Sequence, residues 1–159
     1  MKPLAALLLV SAAALAAPAH AEPVGEVDTA FKLIGPDHKV VVEAYDDPKV
    51  GGVTCYVSRA KTGGLSGAFG LAEDRAEASI ACRQVGPIAI AQPLPRQEEV
   101  YSERLSILFK RLRVVRMVDG PRNTLVYLTY SDRLIDGSPR NSVTAVPVDR
   151  ATPIPLRAR

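Results

Sequence analysis

The chain is 159 residues long, carries 20 Lys and Arg against 17 Asp and Glu, and is 47% hydrophobic, which makes one domain of ordinary size with enough apolar surface to close a core. A formal charge of only +3 disfavours nucleic acid as a partner. Two cysteines, two histidines and no CxxC exclude a zinc finger.

Lys2, the apolar run from Leu4 to Leu15 and the exit Ala19-His20-Ala21 are the three parts of a secretory signal peptide, so residues 1–21 read as a cleaved leader. The run is too short to cross a bilayer, which takes about 20 residues, and no transmembrane segment is expected in the mature chain. The expected location is the periplasm, with Glu22 as the new N-terminus. Cleavage takes His20 with the leader, leaving His38 alone and excluding any two-imidazole mechanism. Cys55 and Cys82 are then the full complement of thiols in an oxidising compartment, which predicts a disulfide. Closing a loop of about 28 residues contributes roughly 3.5 kcal/mol in the chain-entropy model.

Beyond the leader the apolar period is two, which predicts strand after strand. Thr29 to Ile34 and Lys39 to Tyr45 form a candidate hairpin about the turn Gly35-Pro36-Asp37-His38. Asp46-Asp47-Pro48 and Gly51-Gly52 make the next turn, and Val53 to Ala60 is a third strand bearing Cys55. Thr62 to Gly70 is a glycine-rich loop, and the helix formers of Leu71 to Ala78 predict a short helix. Ser79 to Val85 alternates as a strand carrying Cys82 and ends at Gly86-Pro87, while Pro93 and Pro95 mark a surface connection. Tyr101 to Val118 reads as one long strand, interrupted by a bulge, that turns at Asp119-Gly120-Pro121-Arg122-Asn123 into Thr124 to Tyr130. After the turn Asp136-Gly137-Ser138-Pro139, Ser142 to Val148 is the last strand; residues 149–159 lack apolar periodicity and read as a disordered tail. The sum is a mainly β fold, with α+β as the variant: an antiparallel β-sandwich or partly open barrel with one short helix and one disulfide.

Catalytic patterns are weak throughout. Ser58-Arg59-Ala60-Lys61 and Lys61-Thr62-Gly63 imitate the two signatures of penicillin-binding enzymes, but a single Lys61 would have to fill both lysine roles, and the chain is too short for that fold. Lys61, Gly63, Gly64 and Gly67 could cradle an anion through backbone N–H groups, although neither a Walker motif nor a dinucleotide fingerprint is present. Arg104, Lys110, Arg111, Arg113, Arg116 and Arg122 form a basic stripe that alternation splits between two faces, Arg111 and Arg113 opposite Lys110 and Arg116. It reads as a solvated edge, or as a contact for an anionic envelope component. Asp46-Asp47 and Glu73-Asp74 suit turns and helix starts, His38 suits a solvated turn, and Tyr56, Phe109, Tyr127 and Tyr130 suit packing.

Several blocks resemble the CreA family of periplasmic proteins: Gly35-Pro36-Asp37-His38-Lys39, the run from Val53 to Gly64, Gly70-Leu71-Ala72-Glu73-Asp74, Cys82 to Ile88, Leu125 to Leu128, Tyr130-Ser131-Asp132 and Gly137-Ser138-Pro139. The resemblance spans about Glu26 to Val148 and implies one exported domain over residues 22–148, with no catalytic residue to carry over. The expected function is a non-enzymatic module, without cofactor or metal, that binds an envelope component or another periplasmic protein. Its alternatives are a small envelope hydrolase or transferase using Asp, Glu or Ser58, and a structural or stress-related envelope protein.

Overall fold

A computed structural model describes residues 21–30, 38–62, 78–105, 111–132 and 140–158. They form eight strands: β1 (Glu22–Ala30), β2 (His38–Asp46), β3 (Gly51–Thr62), β4 (Ala78–Ala89), β5 (Gln97–Arg104), β6 (Arg111–Asp119), β7 (Thr124–Ser131) and β8 (Asn141–Pro147). They form two open four-stranded sheets ordered β1-β2-β3-β4 and β5-β6-β7-β8, and within each sheet sequence neighbours pair antiparallel. This is the mainly β, antiparallel architecture that the alternation predicts. The one helical element among the described residues is a 3-10 turn at Gly120–Arg122. The predicted helix lies outside the described residues apart from Ala78, which opens β4.

Alternation explains how the sheets share a core. Along β7, Leu125, Tyr127, Thr129 and Ser131 are buried, and the residues between them are not. Val53, Cys55, Val57, Ile80 and Cys82 of the first sheet meet Leu112, Val114, Leu125, Tyr127 and Val146 of the second in one apolar cluster. β4 lies beside β8, and the Cys82 N–H donates to Thr144 Oγ1 at 3.4 Å. Cys55 and Cys82 face each other directly across β3 and β4 as a disulfide, and both are fully buried.

Four readings of the sequence need correction. β1 starts at Glu22, seven residues ahead of the predicted strand, because it is a sheet edge exposed on both faces and shows no apolar alternation to read. The segment read as one strand from Tyr101 to Val118 is two, β5 and β6, paired from Arg104↔Arg111 to Gln97↔Met117. Gly86-Pro87 does not end β4. Gly51 pairs with Ala89 and Val53 with Gln84, so Gly52 alone faces Val85, Gly86, Pro87 and Ile88, and this wide bulge accommodates a proline that cannot donate to a ladder.

Residues 149–158 are not a loose tail. The Leu94 N–H donates to Pro155 O and the Arg157 N–H to Leu94 O, both at 2.8 Å, while Ile154 is buried. Asn123 holds this segment in place. Its amide donates to the Val148, Asp149 and Thr152 carbonyls, and its Oδ1 accepts from the Ile154 N–H. Leu94, between the two prolines expected at the surface, is fully buried as a result.

Gly52 has a φ of 79°, and a Cβ there would stand 2.3 Å from the Pro87 carbonyl oxygen. Gly52→Ala is therefore expected to destabilise the fold by about 1–3 kcal/mol through left-handed strain and collision with backbone. Thermal denaturation checks this: a midpoint several degrees lower is expected, and an unchanged midpoint would contradict the bulge geometry.

Candidate functional site

The inward phase of β2 is Val41, Glu43 and Tyr45, and it continues to Asp47 just beyond the strand. Two of these four are acids, and cations answer both: Asp47 from β6 of the second sheet, Glu43 from β3 of the first. Arg116 of β6, in phase with Leu112 and Val114, is fully buried and donates through Nη1 to both Asp47 oxygens at 2.6 and 2.7 Å. The Tyr127 hydroxyl and the Lys49 N–H also donate to Asp47, each at 2.9 Å. Arg116 Nη2 reaches Glu98 at 2.6 Å, and Glu98 also takes Lys49.

A second cluster lies farther along the same faces. Arg59 donates to Glu43 at 2.8 and 3.0 Å and to Glu103 of β5, which also accepts from the Tyr101 hydroxyl at 2.9 Å. Lys61 completes it with a 2.9 Å bond to Glu43. Tyr45 and Tyr101 stack between the two clusters, ring centroids 4.7 Å apart. Burial alone would raise the Glu43 carboxyl, but the hydrogen bonds from Lys61 and Arg59 outweigh it and hold its pKa below the ordinary value. Burial, reinforced by nearby carboxylates, pushes the Tyr45, Tyr101 and Tyr127 hydroxyls up.

The end of β3 lies between two concavities. On the inner side Glu26, Lys39, Glu43 and Lys61 line a groove of about 340 Å³, in which Lys39 pairs with Glu26 at 2.7 Å and Lys61 with Glu43. On the other side Ser58, Ala60, Ala78, Ser79, Arg140 and Asn141 line a wider groove of about 520 Å³. Strand alternation turns Ser58 and Ala60 away from Lys61, while Arg59 also contributes to the lining of the wider groove.

The residues singled out in the sequence fare differently. Lys61 is committed to Glu43, while Gly63, Gly64 and Gly67 lie outside the described residues, as do Glu73-Asp74, Phe109 and Lys110. Ser58 and Lys61, three apart on a strand, diverge to opposite faces. The cross-strand neighbours of Ser58 are Val42 and Ser79, neither of which is a base. His38 opens β2 and is exposed. Asp46 accepts from Thr54, whereas Asp47, expected in a turn, is buried.

The basic stripe does split between faces as alternation predicts, but Arg116 is buried rather than solvated because Asp47 and Glu98 neutralise it. Arg113 is half-buried between Glu99 and Asp132, and Arg122 pairs with Asp119; Arg104 and Arg111 are exposed. The sequence reading did not single out Glu43, Glu98 or Glu103, and it gave Arg59 no role beyond the motif. Their signal was available: each cluster includes charges at inward positions of otherwise apolar alternation.

The model of the CreA protein family matches residues 24–151. The chain belongs to the CreA family. It is 58% identical over 134 residues to the protein CreA of Escherichia coli strain K12, covering 82% of this chain and 85% of that relative, and equally to protein CreA of Escherichia coli O157:H7. No solved structure matches it. The matched region of this CreA-family chain includes the disulfide, both ionic clusters and the wider groove.

Two limbs of a pH profile follow from the clusters. A carboxyl held low in the folded state stabilises the fold above its unfolded pKa, so stability should fall as pH drops below about 4.5, the ordinary Glu value. Hydroxyls held high stabilise below theirs, so stability should fall again as pH rises above about 10. Denaturant midpoints across pH check both limbs, and Glu43→Gln should flatten the acid one; an acid limb identical to wild type would contradict the role given to Glu43.

Proposed function

We propose that this CreA-family protein works outside the cytoplasm as a binding module, with the end of β3 and the wider groove as its ligand-contacting region. The observation that carries the location is the cystine itself: Cys55 and Cys82 are joined and fully buried inside a paired ladder, a bond that forms and persists in oxidising compartments. The signal-like segment from Met1 to Ala21 supports the same reading.

The binding reading rests on what the ionisable groups are doing. Arg59, Lys61, Glu43 and Glu103 satisfy one another, as do Asp47, Arg116 and Glu98. Groups committed in this way fix geometry; a general acid or base needs a proton to gain or lose near working pH. Ser58, the nucleophile candidate, faces away from both clusters. The wider groove combines hydroxyl, amide and guanidinium donors with small apolar side chains, a lining suited to recognition.

Fractionation of expressing cells with mass spectrometry of the product tests the proposal. The expected result is a periplasmic protein beginning at Glu22, with a mass two hydrogens below the reduced chain because Cys55 and Cys82 are joined. A full-length cytoplasmic product whose thiols react with maleimide under native conditions would overturn it.

A further inference from the structure

Each sheet is open and so ends in two edge strands, which differ in how they are covered. β4 and β8 lie beside each other, and β5 is seated on the core through Val100 and Tyr101, both buried. β1 has no such cover: every residue from Glu22 to Thr29 is exposed, Val27 at 68%. Among the described residues no strand lies beyond β1, so a row of its backbone N–H and C=O groups is open to a further strand. Register shifts at Val24 and Thr29 bracket a regular stretch of ladder from Gly25 to Asp28.

The two faces of that stretch differ in chemistry. Gly25 pairs with Val42 and Val27 with Val40, and the row continues from Val40 to Ala60 on β3, so the outer face is apolar here. Glu26 and Asp28 lie on the inner face, opposite Val41 and Lys39. Lys39 pairs with Glu26 at 2.7 Å, while Lys61, the next lysine inward, is matched by Glu43. β1 itself carries Glu22, Glu26 and Asp28 and no base, so three carboxylates stand against one lysine. The edge is acidic on a chain whose formal charge is +3.

We infer that the open edge of β1 accepts an extended basic segment of another protein as an added strand, with cationic side chains beside Glu26 and Asp28 alternating with apolar ones beside Gly25 and Val27. Backbone hydrogen bonds along the edge give the pairing, and the unlike faces set the alternation. A second copy of the chain does not fit. Antiparallel registers of β1 on itself that keep the inner faces together set Glu26 against Glu26 or against Asp28, like charges directly opposed. The contact lies on a different strand from the wider groove, and the inference goes beyond the groove reading without resting on it.

NMR titration of the oxidised protein with a capped peptide alternating lysine and valine tests it, against an alternating glutamate and valine peptide and a block peptide of the same lysine and valine content. Saturable amide shifts confined to β1 and its β2 partners, with slowed hydrogen exchange at β1 amides, are expected for the alternating lysine peptide alone. Val27→Lys and Asp28→Lys, both at exposed positions, should each weaken that binding at least tenfold with thermal midpoints unchanged. Arg104→Gln, on the edge strand β5, should leave it unaltered. Equal binding of the block or glutamate peptide, shifts centred on another strand, or no saturable shift would overturn the inference. A concentration-dependent dimer of the protein alone that protects the β1 amides would overturn it in favour of a second copy.

Discussion

The burial of Arg116 against Asp47 is the constraint on which the arrangement of the two sheets depends. A guanidinium and a carboxylate, both without solvent contact, cannot be separated in the interior without leaving an unpaired charge, at a cost of about 3–5 kcal/mol. Asp47 follows β2 and Arg116 lies in β6, so the pair fixes how one sheet sits over the other. Tyr127 and Lys49 complete the coordination of Asp47, and Glu98 takes the remaining face of Arg116. Arg116 Nε and the Tyr45 hydroxyl are buried without a hydrogen-bond partner among the described residues, so the cluster is less than fully satisfied. Its main contribution is accordingly to alignment, and the apolar cluster around Leu112, Val114, Leu125 and the cystine supplies the driving force.

Alignment matters because the candidate site is built from both sheets. With Asp47 and Arg116 in place, the stacked Tyr45 and Tyr101 bring Glu43 and Glu103 to either side of Arg59. That fixes the inner face at the end of β3. The outer face of the same strand is then free to present Ser58 and Ala60 to the groove walled by β8. The disulfide acts one step earlier, holding β3 to β4 at the centre of the ladder that forms the groove floor.

Much of this was legible in the amino-acid sequence. The strands β2, β3, β7 and β8 carry β-branched and aromatic residues at alternating positions, and the turn at Asp119 to Asn123 announces the β6–β7 hairpin. The cysteine pairing followed from an even count and the expectation of an oxidising compartment. What could not be read has physical reasons. β1 buries neither face, so it leaves no period. The break between β5 and β6 lacks a Gly or Pro signal, because residues 105–111 are Leu, Ser, Ile, Leu, Phe, Lys and Arg. The last ten described residues are ordered by Asn123 and Leu94, contacts that local composition cannot reveal. Arg116 stands among other arginines, and only its phase with Leu112 and Val114 separates it from its solvated neighbours; its partner is 69 positions away.

A double-mutant cycle on Asp47 and Arg116 tests the central claim most directly, with Asp47→Asn, Arg116→Met and the double variant compared by denaturant unfolding. If the pair aligns the sheets, the double variant loses less stability than the sum of the singles, with a coupling of about 2 kcal/mol or more. Additivity within about 0.5 kcal/mol would show that the two charges do not depend on each other, and would contradict the account.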